Sequence, residues 1–171
     1  MKLKERLRRA GVLRKHASLL SEAPMDARGA ALESLIDGEW VTASGGRCFV
    51  VERRYPLQHT HGRHRLGDLL PEPCGLWKPF VQAREDEPLQ MSEAVFLDTE
   101  TTGLMRSAGT YVFLVGIGFF VDEGFCLRQY FMPYYGDEVS LLDLLRTELH
   151  RHRGLISFNG RAFDWPLLRM R

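Results

Sequence analysis

Apolar and polar positions follow a regular pattern only in the second half of the chain. Four runs of predominantly apolar residues have the length and composition of β-strands: 94–97, 111–121, 125–132 and 155–158. The first and last runs are short, as in strands that are buried on both faces. Turn residues at 122–124 separate the two longer runs, and this spacing predicts a β-hairpin.

Helical periodicity follows the hairpin. Between residues 138 and 152 apolar side chains recur every three or four positions, with Asp137 available as the N-cap. The apolar face of this predicted helix consists of Val139, Leu141, Leu142, Leu145 and Leu149. Pro166 suits the first turn of a further helix. The order is therefore three strands, a helix, a strand and the start of a helix, which predicts an α/β fold.

The first 90 residues are less regular and are expected to form a small α+β extension. A helix is predicted at 26–36 and a strand at 47–52. Residues 55–88 mix prolines, glycines, histidines and charges without a period, which predicts mostly loop, and 84–88 has the composition of a linker. We therefore divide the chain into an N-terminal extension, 1–90, and a second domain, 91–171.

Composition excludes several classes of protein. The chain has 171 residues, of which 44% are hydrophobic and 26% are charged, and these values are those of a globular protein rather than a disordered or fibrous one. No apolar run approaches the roughly 18 residues that a membrane-spanning helix needs, and charged residues occupy the start of the chain where a signal peptide would be apolar. The three cysteines are far apart and odd in number, which favours reduced thiols in a cytoplasmic protein.

Basic residues concentrate in the first seventeen positions, although the net charge of the whole chain is only +1. Leucines and alanines recur there at steps of three or four, which predicts an amphipathic helix. This helix either packs its apolar face on the domain and leaves a solvated basic face, or acts as an arm that contacts phosphates. The sequence leaves both interpretations open.

His59, His61 and His64 form a second ambiguous group. On a strand His59 and His61 would share a face and could chelate a metal, with Asp68 and Cys74 as the nearest further ligands. The alternative is a polar loop whose histidines cap turns or contact phosphates.

The strongest chemical signal is a set of three acids that follow the two short strands. Asp98 and Glu100 lie one residue apart at the end of the first strand, and alternation directs both to the same side. Asp164 follows the second strand by a few residues, so neighbouring strands would bring it close to the pair. Carboxylates gathered in this way require a cation, and hard oxygen ligands favour Mg²⁺ or Mn²⁺. Separately, each acid could instead serve a turn, a solvated loop or a helix cap.

The residues around the acids suit a phosphodiester nuclease. Thr101, Thr102 and Gly103 offer hydroxyls and unobstructed backbone for a terminal nucleotide, and Leu104 could wedge against its base. In the second segment, the candidate phosphate contacts are Asn159 and Arg161. Two metal ions about 3.5–4 Å apart could activate a water and stabilise the leaving oxygen.

Two segments carry a resemblance to a known family. Residues 96–104, FLDTETTGL, resemble the first motif of the four-acid (DEDD) 3′–5′ exonucleases with a ribonuclease-H-like fold, and residues 157–168, SFNGRAFDWPLL, resemble the second. The segments 109–116 and 127–131, with parts of the first 62 residues, are similar to the bacterial YprB-like branch. The resemblance implies a ribonuclease-H-like mixed sheet, two Mg²⁺ or Mn²⁺ ions held by Asp98, Glu100 and Asp164, and a nucleic-acid partner with a single-stranded 3′ end.

The sequence departs from this family in one respect. The resemblance calls for a fourth acid in a third motif, and no acid follows Asp164. We therefore expect a domain that is incomplete at its C-terminus and a chain that is nearly inert, although the complete parent protein would be a metal-dependent 3′–5′ exonuclease. The alternative is a non-catalytic fragment that binds nucleic acid or a partner protein.

Overall fold

A computed structural model describes residues 32–70, 89–103 and 110–171. Within these ranges the strands are β1 (Glu39–Ala43), β2 (Gly46–Pro56), β3 (Thr60–His61), β4 (His64–Arg65), β5 (Ala94–Thr101), β6 (Val112–Val121), β7 (Gly124–Phe131) and β8 (Gly154–Ser157). The helices are α1 (Glu138–Leu149) and α2 (Asp164–Arg169), and residues 32–35 are also helical.

Six of the strands form one sheet in the order β1-β2-β7-β6-β5-β8. All neighbouring pairs are antiparallel except β5 and β8, which are parallel. The predicted hairpin is confirmed, since β6 and β7 pair up to Val121 and Gly124 on either side of a two-residue turn. The expected adjacency of the two short strands is also confirmed, so the ends of β5 and β8 lie at the same edge of the sheet.

The N-terminal extension contributes strands to this sheet. β2 is longer than the predicted strand at 47–52, and it pairs with β7 from Phe49 to Pro56. β1 joins β2 through Ser44 and Gly45, both of which have positive φ angles (44° and 82°), as a tight hairpin turn requires. The boundary near residue 90 stays a prediction.

One face of the sheet is covered by α1. Leu97, Ile117, Arg128 and Glu52 lie side by side in the register of four strands and therefore share a face. Arg128 forms an ion pair with Glu148 of α1, which identifies this as the α1 face. Leu141 and Leu145 of α1 pack into the main core cluster, together with Leu97 and Ile117. Side chains one position along each strand point to the opposite face.

The opposite face carries a smaller apolar cluster. Met91 and Phe120 are its buried members, and partly buried residues from several segments pack around them: Leu57, Leu69, Leu70, Leu89, Phe96, Phe125 and Ile156. The prediction that residues 55–88 are mostly loop needs correction for its first part, because β3 and β4 form a two-stranded hairpin and a 3₁₀ turn follows at Leu66–Leu69.

Three local predictions were wrong. Asp137 makes no capping hydrogen bond to α1, and its carboxylate instead accepts the backbone N–H of Arg47 on β2 at 3.1 Å. Val139, assigned to the apolar face of the helix, is 59% exposed. The strand at 155–158 ends at Ser157, and it is not buried on both faces, because Leu155 and Phe158 are exposed.

Several predictions fall outside the described residues. These are the basic helix near the N-terminus, most of the helix at 26–36, the linker at 84–88, Cys74 and Leu104. Of the 26–36 helix only the end is described, where Leu32 and Ile36 are buried. None of the helices in the described part of the chain is long and apolar enough to cross a membrane.

Cys48 and Cys126 are free thiols buried in the main core. Burial raises the pKa of Cys48 to about 12 and that of Cys126 to about 11. A thiol with so high a pKa is protonated at neutral pH and is therefore a poor nucleophile and metal ligand. These two residues serve packing, which is consistent with the predicted reduced state.

Candidate functional site

Asp98 and Glu100 lie in the C-terminal half of β5. The C-terminal end of the parallel strand β8 lies beside them. Asp98 pairs with Gly116 of β6 and Glu100 pairs with Leu114, so both side chains project from the face opposite α1. Asp98 is exposed and Glu100 is partly buried. The two carboxylates therefore share one side of the strand, as alternation predicts.

A glycine leaves room beside Asp98. A Cβ atom placed on Gly116 would meet only the backbone oxygen of Asp98, at 3.9 Å, among atoms within 4 Å. On the other side of Gly116, the paired residue on the neighbouring strand β7 is Gln129, which is partly buried. The surface beside the acid pair is consequently lined by backbone rather than by a side chain, and a ligand can approach the strand closely there.

Asp164 lies on the other side of β5. It is the first residue of α2 and is buried, with 9% of its surface exposed. Its carboxylate accepts a hydrogen bond from the hydroxyl of Thr99, whose side chain is on the α1 face between the two acids of β5. Leu167 of the same helix packs into the main core, which fixes α2 on this side.

Close packing of the loop before α2 holds Asp164 in place. A Cβ atom on Gly160 would collide with the hydroxyl of Ser157 and would lie 3.0 Å from the Asp164 carboxylate. The carbonyl of Gly160 also accepts the backbone N–H of Trp165 at 2.8 Å. Only glycine fits at this position, which agrees with the close backbone approach inferred from the sequence.

The three acids reach the same edge of the sheet but do not converge. Among the residues that the structure describes, no group of three or more His, Cys, Asp or Glu side chains is arranged to hold a metal ion. Asp98 and Glu100 fit one hard divalent cation by their chemistry and shared face, with water completing its coordination. Thr99 binds the Asp164 carboxylate on the α1 face, and the role of Asp164 as a third ligand stays a prediction.

Hydrogen bonds within the segment and to Tyr111 hold residues 101–103 at the end of β5. The Thr101 hydroxyl donates to the carbonyl of Gly103 at 2.7 Å, and the Thr102 hydroxyl accepts the backbone N–H of Tyr111 at 3.0 Å. The backbone N–H of Thr102 in turn donates to the carbonyl of Tyr111 at 2.9 Å. Thr102 and Gly103 remain exposed next to the acid pair, and their assignment to nucleotide binding stays a prediction.

Asn159 and Arg161 are exposed in the loop that joins β8 to α2. Asn159 has a φ of 58°, and its carbonyl accepts the backbone N–H groups of Ala162 and Phe163 at 3.0 and 3.3 Å. The loop is therefore tightly turned, with both candidate phosphate contacts at its surface. Sequence reasoning missed one residue here, Phe158, whose ring is 95% exposed, because it was counted as part of a buried strand.

The three histidines lie on the exposed hairpin of β3 and β4, away from the acids in the sequence. His61 and His64 are directly opposite each other in its register, and the ring of His59 packs on Tyr55 with centroids 4.6 Å apart. The hairpin brings two histidines together but no third ligand from the described residues. Both interpretations of the histidines, a metal site and contacts to turns or phosphates, therefore stay predictions, on a segment that is a β-hairpin rather than a loop.

Comparison with known proteins identifies the superfamily to which the fold is similar. A sequence model of the RNase_H superfamily matches residues 95–171, from β5 to the end of the chain. The fold is thus a mixed α/β fold of the RNase H type, extended by β1 and β2 at one edge of the sheet.

The chain is also similar to a protein of Bacillus subtilis (strain 168) named "Uncharacterized protein YprB". The two are 32% identical over 126 residues, which cover 72% of this chain. The match spans only 30% of the Bacillus protein, which is much longer. These findings support the RNase H-like assignment at the level of the superfamily.

Proposed function

We propose that this chain contains the core of a metal-dependent nuclease that removes nucleotides from the 3′ end of a nucleic acid. The observation that carries the proposal is the pair of carboxylates, Asp98 and Glu100, on one side of a strand whose C-terminal end lies beside the parallel strand β8. The match of this region to the RNase_H superfamily supports a nuclease, and the two motif resemblances favour the 3′–5′ exonuclease class.

In this proposal Asp98 and Glu100 hold a Mg²⁺ or Mn²⁺ ion. When bound, the ion supplies charge stabilisation at the phosphate and a more acidic water. The exposed backbone of Thr102 and Gly103 receives the terminal nucleotide, and Arg161 neutralises a phosphate. For Asp164 to become a third ligand, its carboxylate must first release the hydrogen bond from the Thr99 hydroxyl. We further propose that the protein acts in the cytoplasm.

The second candidate function is non-catalytic binding of nucleic acid. It is favoured by the hydrogen bond that holds the Asp164 carboxylate at Thr99, on the opposite face of β5 from the acid pair. A sheet edge with two carboxylates, an arginine and exposed backbone can still bind a phosphodiester chain through a bridging cation without positioning the groups needed for hydrolysis.

Hydrolysis of a labelled single-stranded oligonucleotide with Mn²⁺ separates the two functions. We expect little turnover by the 171-residue chain, in which Thr99 binds the Asp164 carboxylate on the opposite face of β5 from the acid pair, and clear turnover by a chain extended with an acid-bearing segment. A fourth acid would complete the family's ligand set, and the correct placement of charge is usually the largest catalytic contribution. No hydrolysis by the longer chain would favour the non-catalytic function. Robust hydrolysis by the 171-residue chain would show that three acids suffice.

A further inference from the structure

Phe158 is the most exposed large hydrophobic residue in the described part of the chain. Its side chain is 95% exposed, whereas the other exposed aromatic residues of this region, Phe163 and Trp165, are 55% and 45% exposed. An isolated exposed side chain needs no explanation by itself. The position of Phe158 at the acid-bearing edge of the sheet is what makes its exposure informative.

The register of β5 and β8 places Phe158 next to Asp98. Leu97 and Ser157 are the last partners in the parallel pair, so Asp98 and Phe158 each follow this pair directly, Phe158 as the first residue beyond β8. Neighbouring strands are about 4.8 Å apart. The Ser157 hydroxyl and the Asp164 carboxylate both lie beside Gly160, on the α1 face, and we expect Phe158, the next residue along the chain, on the opposite face, which is that of Asp98.

Backbone hydrogen bonds constrain the chain on both sides of Phe158. Ser157 is paired in the sheet on one side, and on the other the carbonyl of Asn159 accepts two backbone hydrogen bonds. Asn159 has a positive φ angle, which redirects the chain immediately after Phe158. The ring is thus presented by a fixed backbone rather than by a loose loop, and the open surface above Gly116 lies on the same face.

We propose that Phe158 is a stacking platform for the base of the nucleotide whose phosphate lies at Asp98 and Glu100. This inference rests on the proposed function and identifies the substrate class as nucleic acid with an unpaired terminal base. A base within a duplex is already stacked and paired, whereas an unpaired base is free to cover the ring. Stacking on an aromatic side chain tolerates all four bases, so little sequence preference is expected.

The test is binding of a 5′-labelled oligonucleotide to the 171-residue chain, measured by fluorescence anisotropy with Mn²⁺, because the cation that bridges the phosphate to Asp98 and Glu100 must be present and this chain is expected to hydrolyse little. We expect Phe158→Ala to bind roughly 5- to 150-fold more weakly than the wild type, which is the range for one base stacked on an aromatic ring. Phe158→Leu, which keeps an apolar side chain but removes the aromatic ring, should lose affinity similarly, and Phe158→Trp should retain it. Because Phe158 is almost fully exposed, none of these changes should affect folding, and thermal melting checks this.

An oligonucleotide that lacks its 3′-terminal base supplies the matched control. The missing base should weaken binding to the wild type but leave binding to Phe158→Ala unchanged. Equal affinity of the wild type and Phe158→Ala for the intact oligonucleotide would overturn the stacking role, as would full retention of binding by Phe158→Leu. If the wild type binds no oligonucleotide at all, the proposed function fails together with this inference.

Discussion

Glu100→Gln should lower metal-dependent hydrolysis by about 10²–10³-fold, the usual loss when one preorganised electrostatic group is removed from an active site. The substitution keeps the size of the side chain but removes the charge that a divalent cation requires. Glu100 and Asp98 are the two carboxylates that share a face at the end of β5, so each is expected to be necessary. The rate is measured with a single-stranded oligonucleotide and Mn²⁺, in whichever of the two chains, the 171-residue or the longer one, hydrolyses it.

Glu123→Gln is the control for this experiment. Glu123 is an exposed acid in the turn between β6 and β7, at the opposite end of these strands from the acid pair. The substitution Glu123→Gln removes one negative charge, as Glu100→Gln does, but at a position away from the acid pair. A loss of less than tenfold in Glu100→Gln, or an equal loss in Glu123→Gln, would contradict the role assigned to Glu100.

Arg128→Met should have the largest effect on stability. The guanidinium of Arg128 bridges Glu52 of β2 and Glu148 of α1, with N–O distances of 2.6 Å to each. The Glu148 side chain is only 6% exposed. Removing one partner of a buried ion pair leaves an uncompensated charge and costs about 3–5 kcal/mol. Arg151, which lies 3.1 Å from Glu148, stays in place, so we expect the lower end, about 3 kcal/mol.

Urea unfolding of matched variants measures this effect. Arg146→Met removes a similar ion pair with Asp143, but both of its side chains are more exposed, and the cost should be no more than about 1 kcal/mol. Replacing Glu148 by Leu in the Arg128→Met background should recover part of the loss, since the buried charge is then removed. If Arg128→Met costs no more than Arg146→Met, the pair does not tie α1 to the sheet.

The periodicity of the sequence was sufficient to predict the main strands and the first helix. Runs at 94–97, 111–121 and 125–132 contain enough apolar residues at the right spacing to specify β5, β6 and β7 within a few positions. The adjacency of β5 and β8 followed from two short strands that end in polar motifs. These elements are specified locally, so their sequence patterns could be recognised without a structure.

The predictions that failed depended on long-range contacts. Asp137 has the right position for an N-cap, but a backbone N–H on β2, ninety residues away, binds its carboxylate instead. Phe158 continues an apolar run, yet no described segment covers it. The side of β5 reached by Asp164 depends on where α2 packs, and the sequence carries no local signal for this packing. The adjacency of the two strand ends was therefore predictable, whereas the hydrogen bond between Asp164 and Thr99 on the α1 face was not.

Binding of Mn²⁺ to the 171-residue chain, measured by titration calorimetry, tests the central claim most directly. The claim is that Asp98 and Glu100 form a site for a divalent cation at the end of β5. We expect weak binding to the wild type, because two carboxylates leave most of the coordination shell to water, and loss of this binding in Asp98→Ala. Glu123→Gln should bind as the wild type does. Equal Mn²⁺ affinity of the wild type and Asp98→Ala would contradict the account.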